Sequence, residues 1–184
     1  VGPKAFAVGQ AYPKRSLSQA VRPEMEALAR ETGESVNLAV PLGREALYLD
    51  QVEGTKLVRL FTAPGSRAPL HATGVGKVFL AYLGVPEGLS LTPYTPHTLT
   101  RLPDLLRELE AVRGRGYALD NEEKELGVRC VAAPVFGASG GVVAALSLSA
   151  PASRLSLEEA HRLAPRVVEA ARRASLRLGY TGEV

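Results

Sequence analysis

Two short stretches carry most of the chemistry this sequence can offer. The first, Leu70-His71-Ala72-Thr73-Gly74-Val75-Gly76-Lys77, places glycines at the opening of an expected helix. The first amides of a helix lack intrahelical partners and meet the positive end of its dipole, so Gly74, Val75 and Gly76 form a natural seat for a carboxylate. Tight packing of this helix on a sheet is the alternative reason for glycine there. The second stretch is Ser147-Leu148-Ser149, inside a strongly β-like run. Residues two apart share one face of a strand, so both hydroxyls point one way while Leu146 and Leu148 point the other. Buried hydroxyls need partners, which a ligand, a backbone carbonyl or ordered water can supply. Val128 and Cys130 share a face of the preceding run and are placed to line the same cup. Asp120, ending a short strand, either orients a ligand hydroxyl or protonated carboxyl or simply opens the polar loop over 121–125.

Other signals carry less. Gly137-Ala138-Ser139-Gly140-Gly141 satisfies G-x-S-x-G, but a nucleophile elbow needs a helix after the serine and here another β-run follows, so a hairpin turn is expected. A hydrolase using Ser139 or Cys130 would need a base beside either group. His71, His97 and His161 are scattered without metal-ligand spacing, and Asp120 with Cys130 offers too few ligands for an ion. Gly76-Lys77 is followed by valine, which breaks the phosphate-loop pattern. The arginines at 162, 166, 172, 173 and 177 read as a solvated helix face paired with nearby glutamates. No metal or cofactor is expected.

The elements that must position these groups are legible in outline. Apolar residues from Leu17 to Ala29 recur at helical spacing, with Pro23 expected to start or kink the helix and Gly33 to stop it. Runs at 36–42 and 45–52 flank Gly43-Arg44 as a hairpin, and 56–61 reads as a third strand. Helices follow over 73–83 and from Pro103 to Gly114 or Gly116, then a short strand over 117–119 and a central hairpin of 128–136 with 142–150. Ser156 with Glu159 is a capping-box signature for a last helix reaching about Leu178. This order predicts an α+β fold with an antiparallel sheet.

Length and composition set the outer bounds. A chain of 184 residues fits one domain with a full core. The formal charge of +3 is modest for a chain that must neutralise several phosphates alone, and no winged-helix or helix-turn-helix pattern opens the sequence. One cysteine excludes an internal disulfide and a cysteine-rich zinc site. No apolar run approaches the ~20 residues that span a bilayer, and no signal peptide is read, so a cytoplasmic location without membrane contact is expected.

Taken together, the stretches Glu31-Thr32-Gly33-Glu34-Ser35-Val36-Asn37-Leu38-Ala39-Val40, the glycine segment at 70–77, Arg115-Gly116-Tyr117-Ala118-Leu119-Asp120-Asn121-Glu122-Glu123, Gly127-Val128-Arg129-Cys130-Val131-Ala132-Ala133-Pro134 and Ser147-Leu148-Ser149-Ala150-Pro151-Ala152-Ser153-Arg154 resemble the effector-binding domain of the isocitrate lyase regulator (IclR) family of bacterial transcription regulators. The resemblance covers essentially the whole chain. It implies a curved antiparallel sheet flanked by helices, like GAF and profilin-type sensor domains. It also implies a small carboxylate-type metabolite as effector, a homodimer or homotetramer, and promoter DNA bound only through an N-terminal helix-turn-helix domain that lies outside this chain. Residues 1–15 would then be linker and 16–184 the sensor. The pocket implied is Gly74, Val75, Asp120, Val128, Cys130, Ser147 and Ser149, beside Gly76 of the helix opening, with Leu57 and Leu60 as apolar wall. A stand-alone sensor or interaction module of the same fold is the alternative.

Overall fold

The computed structural model describes residues 14–182. The first helix, α1 (Lys14–Thr32), runs without a break through Pro23 and buries Leu17, Val21, Met25, Leu28 and Ala29 along one stripe. Strands β1 (Ser35–Leu42) and β2 (Glu45–Val52) form the expected hairpin about Gly43-Arg44. The chain then forms β3 (Arg67–Pro69), α2 (Gly74–Leu83), α3 (Leu102–Arg115), β4 (Ala118–Asn121), β5 (Val128–Phe136), β6 (Val142–Pro151) and α4 (Leu157–Arg177). All strand pairs are antiparallel, in the order β3-β2-β1-β6-β5-β4.

The third strand is not where periodicity predicts it. Residues 56–61 form an exposed loop, and the strand that pairs with β2 is β3, only three residues long. The apolar run at 56–61 imitates a strand, but its side chains meet no core: Leu57, Val58 and Phe61 are all exposed. The loop is instead held at its stem, where Ser35 Oγ donates to the Leu60 carbonyl and accepts from the Gly54 amide.

Strand parity divides the sheet into two cores. On one face Val36, Leu38, Val131, Ala133, Leu146 and Leu148 pack against α1 and α4, whose buried stripe includes Ala160, Ala164, Val167 and Ala171. On the other, Ala39, Ala132 and Ala145 lie beneath Val75, Val78 and Phe79 of α2, with Leu105, Leu109 and Val112 of α3 outside them. Small residues on this second face let α2 approach the sheet closely. Three of the five α4 arginines pair within their own helix as expected, Arg162 with Glu158 and Arg172 and Arg173 with Glu169, whereas Arg177 reaches Glu24 of α1. Two of these arginines hold the Glu169 carboxyl down at about 2, against a smaller opposing effect of burial.

Candidate functional site

Helix α2 starts at Thr73, whose hydroxyl accepts from the Gly76 amide at 3.1 Å and donates to the Pro69 carbonyl at 2.7 Å. The cap therefore satisfies Gly76, and the first two helical amides, Gly74 and Val75, are left without an intrahelical partner. The two glycines have different reasons to exist. A Cβ on Gly76 would lie 2.4 Å from the Leu70 carbonyl oxygen, so glycine there is demanded by the chain's own turn. A Cβ on Gly74 would meet the Ala132 methyl at 3.1 Å, which sets α2 directly on the sheet beside the cup. Packing on the sheet, the alternative weighed above, accounts for Gly74, and Gly76 answers to a different cause, the close turn at Leu70.

The sheet floor beneath these amides is a polar row. The register places Asp120 opposite Cys130, Cys130 opposite Ser149, and Ser149 opposite Ser35. In the adjacent row Ala132 faces Ser147, Ser147 faces Asn37, and Asn37 faces Gln51. Directly paired residues project to the same side, so Cys130, Ser147 and Ser149 share one face as parity predicts, and Asp120 joins them there. Val128 follows from the same strand parity on β5. Val128, Cys130 and Tyr48 keep intermediate exposure on a face that α2 otherwise covers, so the cup is open there.

Two of the expected wall residues stand apart. Leu57 is 94% exposed at the tip of the 53–66 loop, and Leu60 is half-buried nearer its stem. In this structure the loop points its apolar tip to solvent rather than into the cup.

Sequence reasoning missed Asn37, Gln51 and Tyr48. Asn37 Nδ2 donates to Ser147 Oγ at 3.3 Å and Ser149 Oγ at 3.1 Å, and Gln51 Nε2 donates to Asn37 Oδ1 at 2.8 Å. The Asn37 signal was available, since it shares parity with Ser35 on a β-rich run.

Electrostatics favour neutral groups in the cup. Burial, helped by the charge of Glu123, pushes the Asp120 carboxyl up to about 7, even though the Glu123 amide donates to its Oδ1 at 2.8 Å. Burial and then Asp120 raise the Cys130 thiol, whose sulfur lies 3.2 Å from Ser149 Oγ. A raised thiol is the opposite of an activated nucleophile. Ser139 sits exposed in the 137–141 hairpin turn, and His71 and His161 are engaged with the Thr92 carbonyl and the Tyr117 hydroxyl. Asp120 of β4 does face Cys130, but it raises the thiol instead of activating it, and no hydrogen bond joins a histidine to Cys130 or Ser139 among the described residues.

Behind the cup lies an ionic layer. Lys77, one turn into α2 and 1% exposed, places Nζ 3.0 Å from both carboxylate oxygens of Glu123, and Glu123 also accepts from the Asn121 amide at 2.9 Å. This pair lines a cavity of about 310 Å³ with Glu108, Arg115, Asn121 and His161. Among the described residues no group of three or more metal-ligating side chains occurs, and no helix is long and apolar enough to cross a membrane.

The model of the bacterial transcriptional regulator IclR C-terminal family matches residues 10–176. The chain is 40% identical over 182 residues to the HTH-type transcriptional regulator BhcR of Paracoccus denitrificans, covering 95% of this chain and 65% of that protein. It thus spans slightly under two thirds of that relative's length. Among solved structures, the IclR of Thermotoga maritima superposes with a TM-score of 0.81 at 34% identity, over 96% of this chain and 73% of that one. A double mutant of the inducer-binding domain of PobR from Acinetobacter, in complex with 3-hydroxybenzoic acid, superposes with a TM-score of 0.77 at 27% identity, over 85% and 96% of the respective chains. The chain belongs to the IclR family, in which it is the C-terminal effector-binding domain, and that family consists of transcriptional regulators rather than enzymes.

Proposed function

We propose that this domain senses a small organic acid, seating its carboxylate on the Gly74 and Val75 amides while Ser147 and Ser149 donate from the sheet. The observation that carries the reading is the double donation from Asn37. Its amide occupies an acceptor site on each serine oxygen and leaves the Ser147 proton available to an acceptor entering the cup, while the Ser149 hydroxyl can also pair with Cys130 Sγ. A raised Asp120 carboxyl adds a group that can donate when protonated and does not repel an anion in that form. The hydroxybenzoate held by the PobR domain supports an organic acid as the ligand class.

No bond is made or broken in this role. For a ligand of ~6–10 heavy atoms, a micromolar to millimolar dissociation constant is the expected range. Regulation follows if the ligand binds two states of a homodimer or homotetramer unequally, and a coupling of ~1–3 kcal/mol suffices to alter promoter affinity through a helix-turn-helix domain preceding this one. Residues 1–15 would be the linker in that arrangement and 16–184 the sensor.

A thermal-shift screen of central and aromatic carboxylic acids identifies the effector, because a ligand at 100 times its dissociation constant stabilises by ~2.7 kcal/mol. Ser147→Ala is then expected to weaken that acid by ~1–3 kcal/mol in calorimetry. Unchanged affinity would remove Ser147 from the site.

A further inference from the structure

Strand β2 carries two polar atoms without a hydrogen-bond partner among the described residues, one on Gln51 and one on Tyr48. Gln51 is 9% exposed, and its Oε1 is the one buried side-chain nitrogen or oxygen among the described residues with no hydrogen-bond partner. Tyr48 keeps intermediate exposure beside the α2 core and lies close enough to Asp120 for its charge to act on the phenol, and no hydrogen bond joins the Tyr48 hydroxyl to a described residue. Burial raises that phenol strongly, so it stays a neutral donor.

Tyr48 and Gln51 are three apart, and ordinary alternation would send them to opposite faces. The register shows why it does not: Asn37 faces Gln51, Leu38 faces Asp50, and Ala39 faces Tyr48, so Leu49 is an extra residue in a bulge. The bulge re-aims Tyr48 to the side occupied by Ala39, Asn37 and Ser147. An unpaired acceptor and an unpaired donor are thereby brought to the rim of the cup, across Asn37 from the serines.

We propose that the β2 bulge builds a second recognition point in the effector site, with Tyr48 donating to and Gln51 accepting from a hydroxyl on the ligand, which makes the effector a hydroxy acid rather than a plain carboxylic acid. This rests on the carboxylate seat proposed above. A hydroxyl both accepts and donates, and so satisfies the two groups at once. An acid without it leaves Gln51 Oε1 unpaired when the cup closes on it, and a site built for a hydroxyl discriminates against such an analogue.

The test is calorimetry with matched pairs, propionate against 3-hydroxypropionate and benzoate against 3-hydroxybenzoate, on the wild type, Tyr48→Phe, Gln51→Leu and Ser147→Ala. The wild type is expected to favour the hydroxy member of at least one pair by about fivefold or more. Tyr48→Phe, a change small enough to keep the fold, is expected to bring that ratio to within about twofold of unity while the parent acid binds as before, and Gln51→Leu to do likewise. Ser147→Ala weakens both members alike. A ratio near one on the wild type, or one retained in Tyr48→Phe and Gln51→Leu, overturns the proposal and leaves the carboxylate seat standing if Ser147→Ala still costs affinity. If no acid of either pair binds the wild type, the seat itself fails and the hydroxyl proposal with it.

Discussion

The Lys77 ammonium and the Glu123 carboxylate close on each other inside the protein, with 3.0 Å from Nζ to each carboxylate oxygen and 1% of Lys77 exposed. Removing one member of such a pair leaves the charge of the other without its buried counter-ion. Lys77→Met is therefore expected to destabilise the domain by ~3–5 kcal/mol, read from urea unfolding at neutral pH. A change under about 1 kcal/mol would mean that the surrounding groups, Arg115 of the same cavity among them, already compensate Glu123.

Asp120 makes stability depend on pH in a predictable direction. Its carboxyl lies at about 7 in the folded protein and at an ordinary 3.8 when exposed, chiefly because burial penalises the charge. Between those values the folded state binds more protons than the unfolded chain, so this contribution is complete below about pH 4 and is lost as pH rises through 7. The slope is at most about 1.4 kcal/mol per pH unit. Unfolding curves of the wild type and Asp120→Asn from pH 5 to 8 should converge in slope above pH 7 and differ below it; parallel curves throughout would refute the shift.

The two glycines of α2 should separate in their effects. Gly76→Ala forces a methyl to within 2.4 Å of the Leu70 carbonyl oxygen and is expected to cost ~1–3 kcal/mol or more, lowering the melting temperature. Gly74→Ala meets only the Ala132 methyl at 3.1 Å, so it is expected to fold with a smaller loss and to bind effector more weakly, because the added carbon stands beside the seat. Equal melting temperatures for the two variants would contradict this division.

Thr73 caps α2 through the Gly76 amide, and Ser156 caps α4 through the Glu159 amide at 3.1 Å. Replacing either by alanine is expected to cost ~1 kcal/mol of folding stability. The Thr73 variant should also weaken effector binding, since the seat is the first turn it holds; Ser156→Ala should leave binding untouched. Calorimetry on both variants separates a cap that serves the site from one that serves only the fold.

Parity was enough to put Ser147 with Ser149 and Val128 with Cys130 on one face of the sheet, because β5 and β6 are regular over those residues and the central strands fix their own register; Asp120 came from the family resemblance. Ser156 was legible because a cap is a local bargain between a hydroxyl and one amide. Tyr48 and Gln51 were hidden by the bulge, since alternation read along β2 assigns one of them to the wrong face. The strand expected at 56–61 failed for a different reason. Its composition suits a sheet, but β2 finds its edge partner at Arg67–Pro69 and the run between has nothing to pair with. Propensity describes which residues tolerate a pleat, and pairing decides which of them receive one.

Because β6 is a single ply, Ser147 and Ser149 on one side and Leu146 and Leu148 on the other are neighbours along one backbone. The leucines are bedded against α1 and α4, the serines against Asn37. News of an occupied cup has only the thickness of one strand to cross before it reaches the helices on the far side, and a tilt of that strand by a fraction of an ångström would be felt on both surfaces at once.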